Sequence, residues 1–266
     1  MAEQGAAGAG VTAITSRDNP VFKVLHRLAH DNTAYRKQGR FWVEGDHLCR
    51  AAIERGQKPT MAVFSESIWP LEAPNFAHQA AKSLVLPDRL FKELSGLESP
   101  AKMGLVVDLP PAQPIQADAM TVVLDRVQDA GNVGSILRSA AAFGFHQVLA
   151  LQGTAALWSP KVLRAGMGAH FGLNLFESLA LDDLEALQMP LVATSSHLGQ
   201  FVHDQSFPRP CAWVLGHEGQ GVSPELMARS ALTVRIAQPG GEESLNVAAA
   251  AAICLHASVS SGAFKL

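Results

Sequence analysis

From residue 121 onward the chain alternates short apolar runs with helical ones. Strand-like runs at 121–124, 148–151, 173–176, 191–194, 212–215 and 232–236 are separated by helical patterns at 136–143, 161–166, 182–187 and 224–230, with a last helix over 245–257. The strand-like runs lack strict apolar–polar alternation, which is the mark of strands buried on both faces. This predicts the α/β class: a mostly parallel sheet covered by helices. Ligands of such sheets bind outside the carboxyl ends of the strands. The loops after Leu124, Thr194, Leu215 and Ile236 are therefore where chemistry is expected.

Upstream, Asn19-Pro20 opens a helix with Asn as N-cap and Pro in the first turn, and Val21, Val24, Leu25 and Leu28 give it an apolar face. An apolar run at 41–43 precedes a helix carrying Leu48, Ala51, Ala52 and Ile53. Strands at 61–64, 84–86 and 103–109, and a helix from Asp88 with Leu90, Phe91 and Leu94, complete a small α/β unit. Pro110-Pro111-Ala112-Gln113-Pro114 is then a stiff connector. The expected organisation is a disordered tail over 1–12, a small domain over 13–109, a linker over 110–117 and a larger domain over 118–266.

Composition narrows the function classes. No apolar run is long and unbroken enough to span a bilayer. The Ala/Gly-rich first ten residues lack the basic and apolar regions of a signal peptide. Cys49, Cys211 and Cys254 are odd in number and far apart, which fits buried thiols in a reducing, cytoplasmic setting. The His residues are scattered and none pairs with Cys at ligand spacing, so no metal is expected. The net charge of −3 excludes a general polyanion binder, but Arg17, Lys23, Arg27, Arg36, Lys37 and Arg40 face only Asp18 and Asp31 in their stretch. That excess is either a phosphate-binding face or a solvated helix face.

Three loops carry chemistry-bearing residues. After the first strand of the larger domain comes Asp125 to Gly144, where Asn132 is placed to cap a helix and Arg138 falls one to two turns in; Arg138 either forms a structural ion pair or grips a phosphate or carboxylate. The Gly spacing there fits neither the dinucleotide fingerprint nor the P-loop. After Leu215 comes Gly216-His217-Glu218-Gly219-Gln220-Gly221-Val222-Ser223-Pro224, a bendable loop with a carboxylate inside it and a helix start behind it. After Ile236, Pro239-Gly240-Gly241 stops the strand and Ser244 is placed as the N-cap of the last helix. A Gly-rich turn at a helix N-terminus either holds a small polar ligand or is a capped helix behind a tight loop.

Taken together these stretches resemble, in order, the three motifs of the SpoU (TrmH-type) RNA 2'-O-ribose methyltransferases of the SPOUT superfamily. They are Asn132-x-Gly134-x-Ile136-x-Arg138, Gly216-x-Glu218-x-x-Gly221-x-Ser223, and Pro239 through Ser244-Leu245-Asn246-Val247. Residues 159–169 resemble the family's linking segment, with Gly166 where Ser is usual, and Ala248 stands where the family often has Ser. The amino-terminal part resembles the substrate-binding domain of many members, through residues 14–20, 41–45 and 99–104, with Ala101-Lys102 replacing a Gln-Gly pair.

The resemblance implies a SPOUT fold with a deep carboxyl-terminal trefoil knot, S-adenosylmethionine as cofactor, a homodimer, and an RNA substrate, ribosomal favoured over transfer RNA. It makes Arg138 the central catalytic residue, as base or as electrostatic stabiliser, with Asn132, Glu218, Ser244 and Asn246 positioning it. The cofactor is expected around Thr194, Ser195, Leu215, Gly216, Glu218, Gly219, Ile236, Ser244, Leu245 and Asn246. RNA is expected at Arg17, Lys23, Arg36, Lys37, Arg40, Arg138 and Arg164. A non-catalytic RNA-binding protein on this fold would have lost Arg138 or Asn246; both are present.

Overall fold

A computed structural model of the protein describes residues 10–97, 99–241 and 244–260. The chain forms two compact units. One comprises the chain up to Pro111 together with Trp158–Phe171; the other comprises Ala112–Leu157 and the chain from Gly172 on.

The first unit runs β1 (Val11–Ala13), α1 (Pro20–His30), α2 (Ala34–Gln38), β2 (Arg40–Glu44), α3 (Asp46–Glu54), β3 (Met61–Ser65), α4 (Trp69–Phe76), β4 (Ser83–Leu86), α5 (Asp88–Leu94) and β5 (Met103–Asp108). Its sheet has the order β1-β4-β3-β5-β2. β1, β4 and β3 are parallel, and β5 runs antiparallel to both β3 and β2. Leu25 and Leu28 of α1 pack with Trp42, Val63, Leu86, Phe91, Leu94 and Val106 in one buried cluster. Asn19 caps α1 through its side chain, which accepts from Val21 N at 2.8 Å. Gly104 is the seat of the Trp42 indole: a Cβ there would overlap the ring.

The rest of the chain adds β6 (Thr121–Leu124), α6 (Ala130–Ala142), β7 (Gln147–Leu151), α7 (Pro160–Gly166), β8 (Asn174–Leu179), β9 (Leu191–Thr194), β10 (Gln200–Phe201), β11 (Ala212–Leu215), α8 (Pro224–Arg229), β12 (Leu232–Arg235) and α9 (Val247–Ser260). The second sheet has the order β10-β12-β9-β11-β6-β7-β8, and every neighbouring pair in it is parallel. Val122, Val123, Val192, Ala193 and Val214 are fully buried, as strands covered on both faces require. Because β12, β9, β11 and β6 are consecutive neighbours, their four carboxyl-end loops open side by side.

Several expectations are corrected. Val11 and Thr12, placed in the tail, form with Ala13 an edge strand that pairs with Ser83 to Val85; residues 1–9 lie outside the described residues. α6 begins earlier than its apolar pattern, at Ala130. Its N-cap is Asp129, which accepts from Asn132 N at 2.8 Å, so Asn132 does not cap and Arg138 lies more than two turns in. Ser244 does not cap α9 either. Asn246 does, its Oδ1 accepting from Ala248 N at 2.9 Å and Ala249 N at 3.2 Å, because the helix starts two residues later than its composition suggests. The helix expected at 182–187 is a 3-10 turn, Leu181–Ala186.

Gly166, the departure from the usual Ser, has a local cause. A Cβ there would lie 2.5 Å from Cε1 and 2.7 Å from Nδ1 of His170. His170 is buried against Trp158, their ring centroids 5.4 Å apart, so the imidazole has nowhere to retreat. Gly166→Ser is therefore expected to lower stability by about 2 kcal/mol through overpacking, despite a better helix propensity. In a His170→Ala background the same change is expected to be neutral or stabilising. A double-mutant cycle by thermal denaturation checks this; additive costs would refute it.

Candidate functional site

The loop after β11 is built on close backbone packing. His217 and Gly221 exchange two backbone hydrogen bonds, His217 N to Gly221 O at 3.1 Å and Gly221 N to His217 O at 2.8 Å. The His217 imidazole closes the turn: Nδ1 accepts from Gly219 N at 3.0 Å and from Gln220 N at 3.2 Å. That geometry gives Nδ1 to structure and leaves the proton on Nε2. Gly216 sits underneath, where a Cβ would overlap the backbone of Gly221 and Val222.

From this loop Glu218 reaches the start of α6. Its carboxylate accepts from Gln128 N (3.1 Å), Asp129 N (3.0 Å) and Asn132 Nδ2 (3.1 Å). Asn132 Oδ1 in turn accepts from Asn246 Nδ2 at 2.9 Å, and Asn246 caps α9. One chain of hydrogen bonds thus joins the loop after β6, the loop after β11 and the start of α9. Partial burial works to raise the Glu218 carboxyl, but the N–H of Asp129, the Asn132 amide and the N–H of Gln128 outweigh it and lower its pKa to about 2.

The depressed value fixes a sign. The network's stabilisation is fully present above the ordinary carboxyl value of 4.5 and is lost as pH falls towards about 2. Glu218→Gln is expected to remove that acid-sensitive component, so its melting temperature falls less steeply than wild type between those values. Parallel melting curves would show that Glu218 carries none of it.

Behind the loop lies an arrangement not anticipated from the sequence. Asp125, at the end of β6, is 2% exposed and accepts from Arg126 Nε at 2.8 Å and Ser223 N at 2.6 Å. Burial pushes its carboxyl up, but Arg126 and the Ser223 N–H outweigh this and hold it below the usual range. Arg126 has φ 58°, the left-handed region, and its Nη1 donates to Gln220 Oε1 at 2.9 Å. The loop after β11 is therefore held from both sides. A carboxylate directly after an apolar strand was the available signal.

Arg138 stands outside these networks. It is six residues beyond Asn132 along α6, a rise of about 9 Å, and on another helix face. Its side chain is exposed and has no ion-pair or hydrogen-bond partner among the described residues. Ser195 Oγ accepts from His197 N (3.2 Å) and Leu198 N (3.0 Å), and Thr194 Oγ1 donates to Val214 O (3.0 Å), tying the loop after β9 to β11. Leu215 and Gly216 are buried, Ile236 is half-buried, and Gly219, Ser244 and Leu245 are exposed; Glu242 and Glu243 lie outside the described residues.

In the first unit Arg17, Lys23, Arg36 and Lys37 are exposed and Arg40 is half-buried. Lys23 pairs with Asp18 at 3.4 Å and Arg40 with Asp108 at 3.7 Å. Arg164 differs: its Nη1 is shielded from solvent beside Gly96. Among the described residues no group of three or more His, Cys, Asp or Glu is placed to hold a metal, and no helix is long and apolar enough to cross a membrane. The three cysteines are buried and free, and burial pushes the Cys254 thiol up to about 12.

Comparison with known proteins agrees with this geometry. Residues 119–256 match the SpoU rRNA Methylase family, and residues 19–104 match the MRM3-like substrate binding domain. The chain is 31% identical to an uncharacterized tRNA/rRNA methyltransferase of Synechocystis, over 92% of this chain and 93% of the relative. It is 28% identical to the 23S rRNA (guanosine(2553)-2'-O)-methyltransferase RlmP of Bacillus subtilis, over 91% and 97%. The structure is similar to that of the SpoU methyltransferase AviRb from Streptomyces viridochromogenes in complex with the cofactor AdoMet. The TM-score is 0.80 at 27% identity, covering 91% of this chain and 97% of that one. With its catalytic half and its amino-terminal half both accounted for, the chain belongs to the SpoU family of RNA methyltransferases.

Proposed function

We propose that the protein transfers a methyl group from S-adenosylmethionine to a ribose 2'-hydroxyl of ribosomal RNA, in the cytoplasm and as a homodimer. The observation that carries this reading is the Glu218–Asn132–Asn246 chain, which joins the three motif loops along the carboxyl edge of a parallel sheet. RlmP acts on 23S rRNA, and a domain of the MRM3-like substrate-binding type on the same chain favours a large RNA.

The residues present fit the cofactor. At the carboxyl end of β12, Arg235 Nε and, three residues on, Gln238 Oε1 are enclosed without partners among the described residues, as a site for a polar ligand would leave them. Gly216 keeps the floor of the neighbouring loop free of side chain. The backbone around Thr194, Ser195, Leu215, Gly216, Ile236 and Leu245, with Gly219 and Ser244 at the rim, would hold it. When bound, S-adenosylmethionine supplies a methyl group already activated by its sulfonium.

The chain's own residues then have three tasks. The Glu218–Asn132–Asn246 chain fixes the loops, so the bound groups meet in one geometry. Arg138, whose guanidinium has no partner among the described residues, takes an RNA phosphate or steadies the negative charge developing on the 2'-oxygen. Arg17, Lys23, Arg36, Lys37 and Arg40 offer cations to the RNA backbone, with Arg164 contributing from a more enclosed position. The 2'-hydroxyl itself is what distinguishes RNA from DNA.

One structural feature supports the homodimer. An apolar groove of about 690 Å³ runs along α9, lined by Val202, Ala252, Ile253 and His256, and suits a second copy of the chain.

Calorimetric titration with S-adenosylmethionine tests the function. Micromolar binding, up to one per subunit, followed by 2'-O-methylation of ribosomal RNA, is the expected result. Folded protein that binds none, with or without ribosomal RNA, would overturn it.

A further inference from the structure

Helix α7 ends in a turn whose residues run against their ordinary preferences. Met167, directly after α7, has φ 47° and ψ 39°, in the left-handed region. A side chain there crowds its own backbone, and glycine is the usual occupant of that place behind a helix. This chain has glycine on both sides of the position and not at it. Gly166 and Gly168 are required by space: a Cβ at the first would overlap the His170 ring, and one at the second would lie 2.8 Å from Ala51 Cβ. Met167, by contrast, is 53% exposed, a large apolar side chain turned out to solvent. The turn is also pinned. Met167 N donates to Leu163 O and Arg164 O, both at 3.2 Å, and Phe171 N donates to Gly168 O at 3.2 Å. An exposed methionine adds little to a core, and here it costs backbone strain. Strained positions of this kind gather at functional sites.

Charge narrows the partner. The segment Trp158–Phe171 carries Lys161 and Arg164 and no carboxylate. The two cations are three residues apart and so share a face of α7. Lys161 is exposed, and Arg164 Nη1 is shielded with no hydrogen-bond partner among the described residues. Cations beside a lone exposed apolar side chain suit a nucleic-acid strand, whose phosphates meet the charges and whose bases offer flat apolar faces. A thioether packs well on an aromatic ring, and methionine is among the side chains that wedge against bases. Single-stranded RNA presents such bases unstacked.

We infer that Met167 is an RNA-contact residue, its side chain packing on the face of an unstacked base of the RNA substrate while Lys161 and Arg164 attract the phosphates beside it. The inference rests on the proposed RNA substrate. It assigns the strain a purpose: the turn gives up stability to present an apolar side chain at a fixed point.

The test uses the full chain, S-adenosylmethionine and unmodified ribosomal RNA transcribed in vitro, with three variants. Met167→Gly and Met167→Asn both suit the left-handed backbone and both remove the apolar side chain. Each is expected to lower kcat/KM for RNA about tenfold, to leave S-adenosylmethionine affinity and the salt dependence of RNA binding unchanged, and to melt no lower than wild type, Met167→Gly about 2 °C higher. Met167→Leu keeps the apolar side chain and the strain, and is expected to keep kcat/KM within about threefold. Activity should thus follow the side chain while stability follows the backbone. Unchanged kcat/KM in the Gly and Asn variants overturns the inference. So does a loss of activity matched by a lower melting temperature, which would mean a structural role. Dissociation of those variants into monomers by analytical ultracentrifugation would give the surface to a second copy of the chain and overturn it as well. In each of these cases the methyltransferase reading stands. Wild type that transfers no methyl group to ribosomal RNA overturns that reading and this inference with it.

Discussion

Arg138→Ala is expected to lower methyl transfer by about a thousandfold or more, while leaving S-adenosylmethionine affinity and thermal stability close to wild type. The asymmetry follows from where the side chain sits. Arg138 is exposed and has no internal partner among the described residues, so its removal breaks no contact that holds the fold. Surface truncations of that kind cost about 0.5 kcal/mol or less. The loops expected to hold the cofactor are tied together by Glu218, Asn132 and Asn246, none of which bonds to Arg138. Whatever is lost must therefore be lost in engaging RNA or stabilising the transition state. Arg138→Lys separates these contributions: it keeps the charge but not the planar fork, and partial activity with a raised KM for RNA would indicate phosphate gripping. Turnover retained in Arg138→Ala would remove this residue from the chemistry.

Most strands of both sheets were legible because their apolar runs are short and bounded by turn residues, and Asn19-Pro20 marked its helix start unambiguously. Elements that escaped lack such a signal. β1 is three exposed residues, β10 is two, α2 is five residues without periodicity, and α4 carries Pro74 in its interior. The two helix starts at the site were misplaced for one reason. Asp129 and Asn132 both suit an N-cap, as do Ser244 and Asn246, and composition cannot choose between them. The choice has a consequence: Asn132 and Asn246 are 114 positions apart, and only the fold lets one amide bond the other. The assignment of Trp158–Phe171 to the first unit was hidden in the same way, since Trp158 meets Phe41 with ring centroids 4.6 Å apart. The motif spacing names Asn132, Glu218 and Asn246 as candidates, but not the hydrogen bonds that join them.

Gly216→Ala is expected to cost S-adenosylmethionine binding a hundredfold or more (roughly 3 kcal/mol) through steric overlap alone. Gly216 does not have a positive φ, so alanine meets no dihedral penalty there. The obstacle is the backbone of Gly221 and Val222, which a new Cβ would overlap and which cannot turn aside as a side chain would. Relief requires the two limbs of the loop to part. That breaks the paired His217–Gly221 hydrogen bonds and draws Glu218 away from Gln128, Asp129 and Asn132. The strand behind is spared, because Trp213, Val214 and Leu215 are packed in the core and do not depend on the loop. The damage should thus be local: a cooperative melt that survives at lower temperature, with cofactor binding gone. Two neighbours calibrate it. Gly221 has φ 69° with open space around it, so alanine there pays only about 1 kcal/mol of backbone strain. Gly240 has neither constraint and should tolerate alanine. Titration and thermal melts of the three variants rank them 216, 221, 240. If Gly216→Ala bound the cofactor as well as Gly240→Ala, the loop after β11 could not be part of the cofactor site, and the role proposed for Glu218 in arranging it would fall as well.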